Sequence, residues 1–241
     1  MSGTLYGVGV GPGAPDLLTL RADRLIRSAR VVAYPAPDTG PSLARQIAAD
    51  AIPKDAIEIP MIVPMRTERF PAQDVYSNAA SEISGHLTVG TDVVVLCEGD
   101  PFFFGSFMYL FARLADSHPV EIVPGVSSLG ACAAAIRWPL VARNDVMSVI
   151  PATLPDDALR TGIHGADAVA LMKVGRHLPR VRALIETMGL TQHSGYIARA
   201  TLSNEVACSL SDAPDTAPYF SMILISKGED PWLSQHPPFS A

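Results

Sequence analysis

The sequence predicts an α/β protein built as two α/β domains, and three observations carry that prediction. Apolar runs of strand length alternate with segments of helical period along the chain. Two of those runs, residues 5–10 and 93–97, break into the loops Gly9-Val10-Gly11-Pro12-Gly13 and Glu98-Gly99-Asp100-Pro101. Loops of that kind, at the carboxyl ends of strands, are where open α/β sheets hold small ligands. A chain of 241 residues with 48% hydrophobic and 17% charged side chains also has ample material for packed cores.

Each element follows from local pattern. Residues 5–10 read as a buried strand. After the first loop, Ala22, Leu25, Ile26 and Ala29 recur at helical spacing, with Thr19 as N-cap. Residues 30–34 form a second strand that Pro35 and Pro37 are expected to stop. Ser42 opens a helix to residue 49, residues 56–59 form a third strand, and the apolar stretch 60–65 is broken by prolines. A long helix over 73–87 leads to a strand at 92–97, a helix at 106–114 and a strand at 120–123. The turn Pro124-Gly125-Val126-Ser127-Ser128 opens an alanine-rich helix over 129–136. The second half starts afresh, with strands at 146–150, 168–172, 195–200 and 220–225. A helix at 178–188 lies among them, and 201–210 suggests a hairpin return. The domain boundary falls near 117–123, giving domains 1–119 and 120–241. Residues 229–241 carry prolines and no period, and are expected to be loose. No internal repeat is visible.

Composition excludes several classes. A net charge of −6 weighs against a nucleic-acid partner, which needs clustered Lys and Arg. An anionic small molecule needs only a local basic patch. Residues 1–6 lack the basic flank and apolar core of a signal peptide. No apolar run approaches the roughly 20 residues of a membrane span, so a cytoplasmic protein without membrane partners is expected. Cys97, Cys132 and Cys208 show no CxxC spacing and read as buried thiols in a reducing compartment. The six histidines show neither HxxxH nor HxH, so no metal site is expected. No GxSxG nucleophile or P-loop lysine is present.

The motifs each have a bland reading. Gly9-Val10-Gly11-Pro12-Gly13-Ala14 formally fits a GxGxxA dinucleotide fingerprint, but Pro12, Gly13 and Pro15 disfavour the helix that must open inside it. A tight turn, or a loop for another ligand, is left open. Gly-Asp-Pro is ordinary turn chemistry. Phe102-Phe103-Phe104 behind it offers flat apolar walls beside a carboxylate, although one or two of these rings belong in a core. Ser127 and Ser128 suit an N-cap, a ligand contact, or both. Arg66, Arg69, Arg137, Arg143, Lys173, Arg176 and Arg199 lie near loops or strand ends. Surface arginines are usually solvated, but several of them converging would bind a polycarboxylate.

In order and spacing, three segments together resemble the tetrapyrrole methylase family, over residues 6 to about 227. They are Val8-Gly9-Val10-Gly11-Pro12-Gly13 with Leu17-Leu18-Thr19-Leu20, Gly99-Asp100-Pro101, and Pro124-Gly125-Val126-Ser127-Ser128. The resemblance implies a homodimer of two-domain chains that hold folded S-adenosylmethionine (SAM) in a cleft between the domains, largely through backbone groups. It implies a polycarboxylate tetrapyrrole substrate and S-adenosylhomocysteine as product. Carried over motif by motif, the SAM contacts fall on Pro12, Gly99, Asp100, Phe103, Ser127, Ser128, Val174 and Ala200. Within the family, several segments resemble the branch that methylates C20 of precorrin-2, in metal-free or cobalt form, during cobalamin biosynthesis. They include Ala33-Tyr34-Pro35-Ala36-Pro37, Ser42-Leu43-Ala44, Pro64-Met65, Met172-Lys173-Val174-Gly175-Arg176 and Pro218-Tyr219-Phe220-Ser221. Many family members carry glycine where this chain has Glu98. The implied chemistry needs no catalytic triad. It does release a proton from C20, for which Glu98 or Asp100 is expected to act as base or to orient the ring. The alternative is that Asp100 only shapes its loop and Glu98 faces solvent. Other tetrapyrrole methylases, an rRNA methylase, a nonenzymatic binding module and an NAD-dependent oxidoreductase are the competing readings.

Overall fold

The computed structural model describes residues 2–63 and 70–228. Pro64, Met65, Arg66, Arg69 and the tail 229–241 lie outside the described residues. Two compact units emerge, Met1–Ser127 and Ser128–Ala241.

The first unit runs β1 (Leu5–Gly9), α1 (Leu20–Arg27), β2 (Val31–Pro37), α2 (Leu43–Ile47), β3 (Ile57–Val63), α3 (Phe70–Thr88), β4 (Val93–Cys97), α4 (Phe107–Leu114) and β5 (Val120–Val123). Its sheet is wholly parallel, in the order β3-β2-β4-β1-β5. Helical crossovers between successive strands make that possible. Val93-Val94-Val95-Leu96-Cys97 is buried at every position, as a central strand covered on both faces must be. One core packs Ala22 and Ile26 of α1 and Ala44 and Ile47 of α2 against Val8, Val32 and Leu96. A second packs Ile83 of α3 and Phe107 and Leu110 of α4 against Leu5, Val31 and Val95. The helix starts follow the expected chemistry. Thr19 Oγ1 accepts the Ala22 amide at 3.1 Å, and Ser42 Oγ accepts the Arg45 amide at 3.2 Å.

Two expectations are corrected in this unit. The prolines do not end β2 or β3. Tyr34–Pro37 pair with Pro60–Val63 alone, because pairing with β4 stops at Ala33. A strand with one neighbour loses no ladder bond to a proline whose missing N–H lies on its open side. The boundary expected after residue 119 also moves, because β5 pairs with β1, Leu5 opposite Val120 through Val8 opposite Val123. The strand at 120–123 therefore completes the first sheet.

The second unit runs α5 (Ser128–Ala135), β6 (Met147–Pro151), α6 (Asp156–His164), β7 (Ala168–Met172), α7 (Leu178–Thr187), β8 (Ser194–Ala198), β9 (Val206–Ser209) and β10 (Ser221–Ser226). Its sheet has the order β6-β7-β10-β8-β9. Only β6 and β7 pair in parallel, and β9 makes the hairpin return onto β8. Helices α6 and α7 pack through Leu159, Ile163, Val181 and Ile185 on one side of the strands. α5 packs through Ala131 and Cys132 against Ala170, Ile197 and Leu224. α6 was not anticipated. Cys97 and Cys132 are buried and Cys208 half-buried. No helix among the described residues is long and apolar enough to cross a membrane.

Candidate functional site

The connections out of β1 and β4 create the crevice. β1 leads through α1 to β2 on one side of the sheet order, and β4 leads through α4 to β5 on the other. Because α1 and α4 belong to opposite cores, the loops after these two adjacent strands part at their carboxyl ends. That is a topological switch point, the position where doubly wound sheets take ligands.

Backbone holds the crevice together. The Gly99 amide donates to the Gly11 carbonyl at 2.8 Å, and the Gly11 amide donates back to Gly99 at 3.2 Å. Both residues sit at positive φ, +83° and +65°, where glycine carries no steric penalty. A Cβ on Gly9 would lie 2.6 Å from the Gly99 carbonyl oxygen and from Gly125 Cα. A Cβ on Gly125 would overlap the same carbonyl oxygen. The loops after β1, β4 and β5 therefore meet backbone to backbone. After Gly13 the chain makes only a short 3-10 turn, Pro15–Leu17, and α1 starts at Leu20. No helix opens inside the GxGxxA segment, so it does not form the pyrophosphate cradle that motif describes.

Asp100 binds two loops to each other. Its Oδ1 accepts the Phe102 amide at 2.9 Å and its Oδ2 accepts the Gly125 amide at 3.1 Å. Glu98 is half-buried. Burial raises its carboxyl above the ordinary range, against the opposing pull of backbone amides that include that of Ala44 in the first turn of α2. Phe102 packs on α4, 5.3 Å from the Phe111 ring and 6.1 Å from that of Phe107. Phe103 and Phe104 stand edge to face at 5.3 Å. Pro12, Gly99, Asp100, Phe103 and Ser127 thus all lie on the three loops at this edge, with Pro12 and Ser127 half-buried.

A neighbouring polar cluster escaped sequence reasoning. Arg45 of α2 grips Glu58 of β3 through two bonds, Nε to Oε2 at 2.6 Å and Nη2 to Oε1 at 2.8 Å. That contact lowers the Glu58 pKa, and Tyr34 of β2 adds to the lowering. The three residues are far apart in sequence and show no spacing that would have announced them. A glutamate in a strand between isoleucines was the only sign.

The second unit places the remaining predicted residues. Ser128 is the first residue of α5, Val174 follows β7 and Ala200 follows β8. β7 and β8 flank β10, so Val174 and Ala200 share one edge of this sheet. Arg199 donates its amide to the Phe220 carbonyl at 2.9 Å, and the Gly175 amide donates to Ser221 Oγ at 3.1 Å. Of the basic residues singled out, Arg137, Arg143, Lys173 and Arg199 adopt left-handed backbone, and Arg176 lies in the 3-10 turn Gly175–His177. Among the described residues no group of His, Cys, Asp or Glu is arranged to hold a metal ion.

Residues 4–213 match the family of Tetrapyrrole (Corrin/Porphyrin) Methylases. The chain belongs to this family. It is 36% identical over 237 residues to a precorrin-2 C(20)-methyltransferase from Sinorhizobium sp, covering 95% of this chain and 97% of that one. It is 32% identical over 231 residues to the cobalt-precorrin-2 C(20)-methyltransferase of Salmonella typhimurium, covering 94% and 98%. The structure of uroporphyrin-III C-methyl transferase from Thermus thermophilus complexed with S-adenyl homocysteine superimposes with a TM-score of 0.67 and 24% identity. That match covers 92% of this tetrapyrrole methylase and 97% of the Thermus chain, and speaks for the fold.

Proposed function

We propose that this tetrapyrrole methylase transfers a methyl group from SAM to C20 of precorrin-2, giving precorrin-3A in cobalamin biosynthesis and releasing S-adenosylhomocysteine. One observation carries the reading: 36% identity, across nearly the full length of both chains, to an enzyme named for that reaction. The relative named for the cobalt form is less similar, at 32%. Metal-free precorrin-2 is therefore the first substrate, and cobalt-precorrin-2 the second.

The loops suit the cofactor. A crevice walled by backbone amides, carbonyls, a carboxylate and phenylalanine rings offers polar partners to an adenosyl and amino-acid moiety and flat surface to an adenine. Pro12, Gly99, Asp100, Phe103, Ser127, Ser128, Val174 and Ala200 are the proposed contacts. SAM supplies an electrophilic methyl on a cationic sulfur. The protein's task is then alignment and exclusion of water, and alignment alone can supply roughly 7–11 kcal/mol. Asp100, with both oxygens on backbone amides, keeps the loops in register. Glu98, lifted in pKa by burial, is the proposed acceptor of the C20 proton or the group that orients the ring.

The assembly we propose is a cytoplasmic homodimer. α4 buries Phe107, Leu110 and Leu114, yet its outer side shows Met108, Tyr109 and Phe111, joined by Phe102 and Phe104. Large apolar side chains clustered on the exposed side of a helix mark a surface that something covers, and a second copy is the proposed cover.

Anaerobic incubation of the protein with methyl-labelled SAM and metal-free precorrin-2, followed by mass and NMR analysis, tests the reaction. Label at C20 is the expected result. Label at another carbon, or no transfer to either the metal-free or the cobalt substrate, would overturn the assignment.

A further inference from the structure

Non-glycine residues avoid the left-handed region because Cβ crowds the backbone there, and the ones that tolerate it best are Asn and Asp. Among the described residues six non-glycine residues occupy it, and four of them are Lys or Arg: Arg137, Arg143, Lys173 and Arg199. All four belong to the second unit. Strain of this kind persists where the surroundings enforce it, and it concentrates where chains meet ligands.

Lys173 and Arg199 stand in the same local arrangement. Each ends a strand, Lys173 after β7 and Arg199 after β8, and each is followed by a buried apolar residue, Val174 or Ala200. The left-handed turn sends the following residue inward. Between the two strands runs β10, whose approach presents Tyr219 and Phe220, 55% and 42% exposed, with their rings edge to face at 5.0 Å. The pairing register sets Ser221 opposite Ala198 and Ile223 opposite both Leu171 and Tyr196. Two strand spacings separate β7 from β8, which puts the Lys173 and Arg199 backbones about 10 Å apart across the aromatic pair. Arg199 Nε donates to the Asn204 carbonyl at 2.9 Å, fixing the plane of its guanidinium. The charge extends along the 3-10 turn into α7, where Arg176 and Arg180 add to burial in lowering the pKa of His177.

We propose that Tyr219 and Phe220, flanked by Lys173 and Arg199, form the platform on which the second unit docks a planar tetrapyrrole, the cations taking carboxylates on opposite sides of the ring. The proposal rests on the tetrapyrrole reading of the substrate. It deepens that reading by naming the groups that recognise the macrocycle and its acid side chains. Because the two rings stand edge to face, one can lie along a conjugated face while the other abuts the macrocycle's rim, and guanidinium and ammonium groups suit carboxylates.

The test separates binding from reaction. Sirohydrochlorin, the oxidised octacarboxylate with the carbon skeleton of precorrin-2, is titrated against the full chain by quenching of its own fluorescence. Lys173→Gly and Arg199→Gly are each expected to weaken it about tenfold and to leave S-adenosylhomocysteine affinity within about twofold. Both are expected to raise Tm, since glycine relieves the strain. Arg199→Lys, which keeps the charge, recovers part of the loss. If glycine at position 173 lowers Tm instead, Lys173→Glu supplies the same contrast without added backbone freedom. Unchanged sirohydrochlorin affinity in the variants would overturn the platform. So would a parallel loss of S-adenosylhomocysteine binding, or a wild-type protein that does not bind sirohydrochlorin. A wild-type protein that binds it through these residues, yet methylates neither substrate form, would sink the C20 reading and leave the platform standing.

Discussion

Glu98 and Asp100 are two residues apart, and the structure gives them different work. Each Asp100 carboxylate oxygen accepts one amide, of Phe102 and of Gly125, so the Gly-Asp-Pro sequence ties two loops together. Glu98 follows the last buried residue of β4, and burial raises its carboxyl from the model-compound value of 4.5. A raised carboxyl favours the folded state while protonated. Its contribution is full below the unfolded pKa and is lost as pH climbs through the folded one. Glu98→Gln is therefore expected to be more stable than the wild type at neutral pH, with the advantage shrinking as pH falls from the raised folded value towards 4.5. Denaturant midpoints at a series of pH values report this. In turnover, Glu98→Gln is expected to lose the rising acid limb of the pH–rate profile and at least about tenfold in kcat. Full turnover at every pH would remove Glu98 from proton transfer. Asp100 was legible as a turn residue because one partner, Phe102, is two residues away; its bond to Gly125, 25 residues on, was not. The Tyr34, Arg45 and Glu58 cluster was not, since a bidentate contact between a helix and a strand leaves no trace in spacing.

At the scale of elements, the glycines of the strand-end loops carry the architecture. Gly125→Ala places a methyl on the Gly99 carbonyl oxygen, so the loops after β4 and β5 must separate. The strands beneath stay paired with β1 over their full lengths, so the fold is expected to survive. Calorimetry should show S-adenosylhomocysteine affinity falling by about tenfold or more, with an unchanged circular dichroism spectrum. Wild-type affinity in this variant would mean the backbone junction does not shape the site. The same scale shows why some elements were readable. β4 and β7 are short apolar runs bounded by turn residues, and the pattern found them at their observed positions. α6 was missed because only Leu159 and Ile163 of its nine residues are buried, a single i, i+4 pair with Gly162 beside it. β2 and β3 were cut short because proline was taken as a stop. It stops a strand only where a neighbour lies on the side its N–H would face.

The whole molecule adds terms that no element contains. Two units with separate cores were legible from the restart of the strand pattern, but the boundary was not. The local sequence of β5 says strand without saying which sheet, and only its pairing with β1 decides. The apolar outer side of α4 likewise has meaning only beyond one chain. Replacing Met108 and Phe111 together by aspartate is expected to halve the mass measured by light scattering while each chain stays folded. A variant that stays dimeric would place the subunit contact elsewhere, and a monomeric wild type would overturn the dimer.

β1 precedes every other strand of the first sheet yet lies in its interior, between β4 and β5. On a ribosome, Leu5–Gly9 emerges before both its partners and waits for Val93–Cys97 and Val120–Val123, a delay on the order of ten seconds at ordinary elongation rates. During that interval the strand is apolar and unpaired on both edges. β1 gains one neighbour when Val93–Cys97 appears and the other only with Val120–Val123. A chaperone that shields Leu5–Gly9 until residue 123 has emerged should raise the yield of active enzyme.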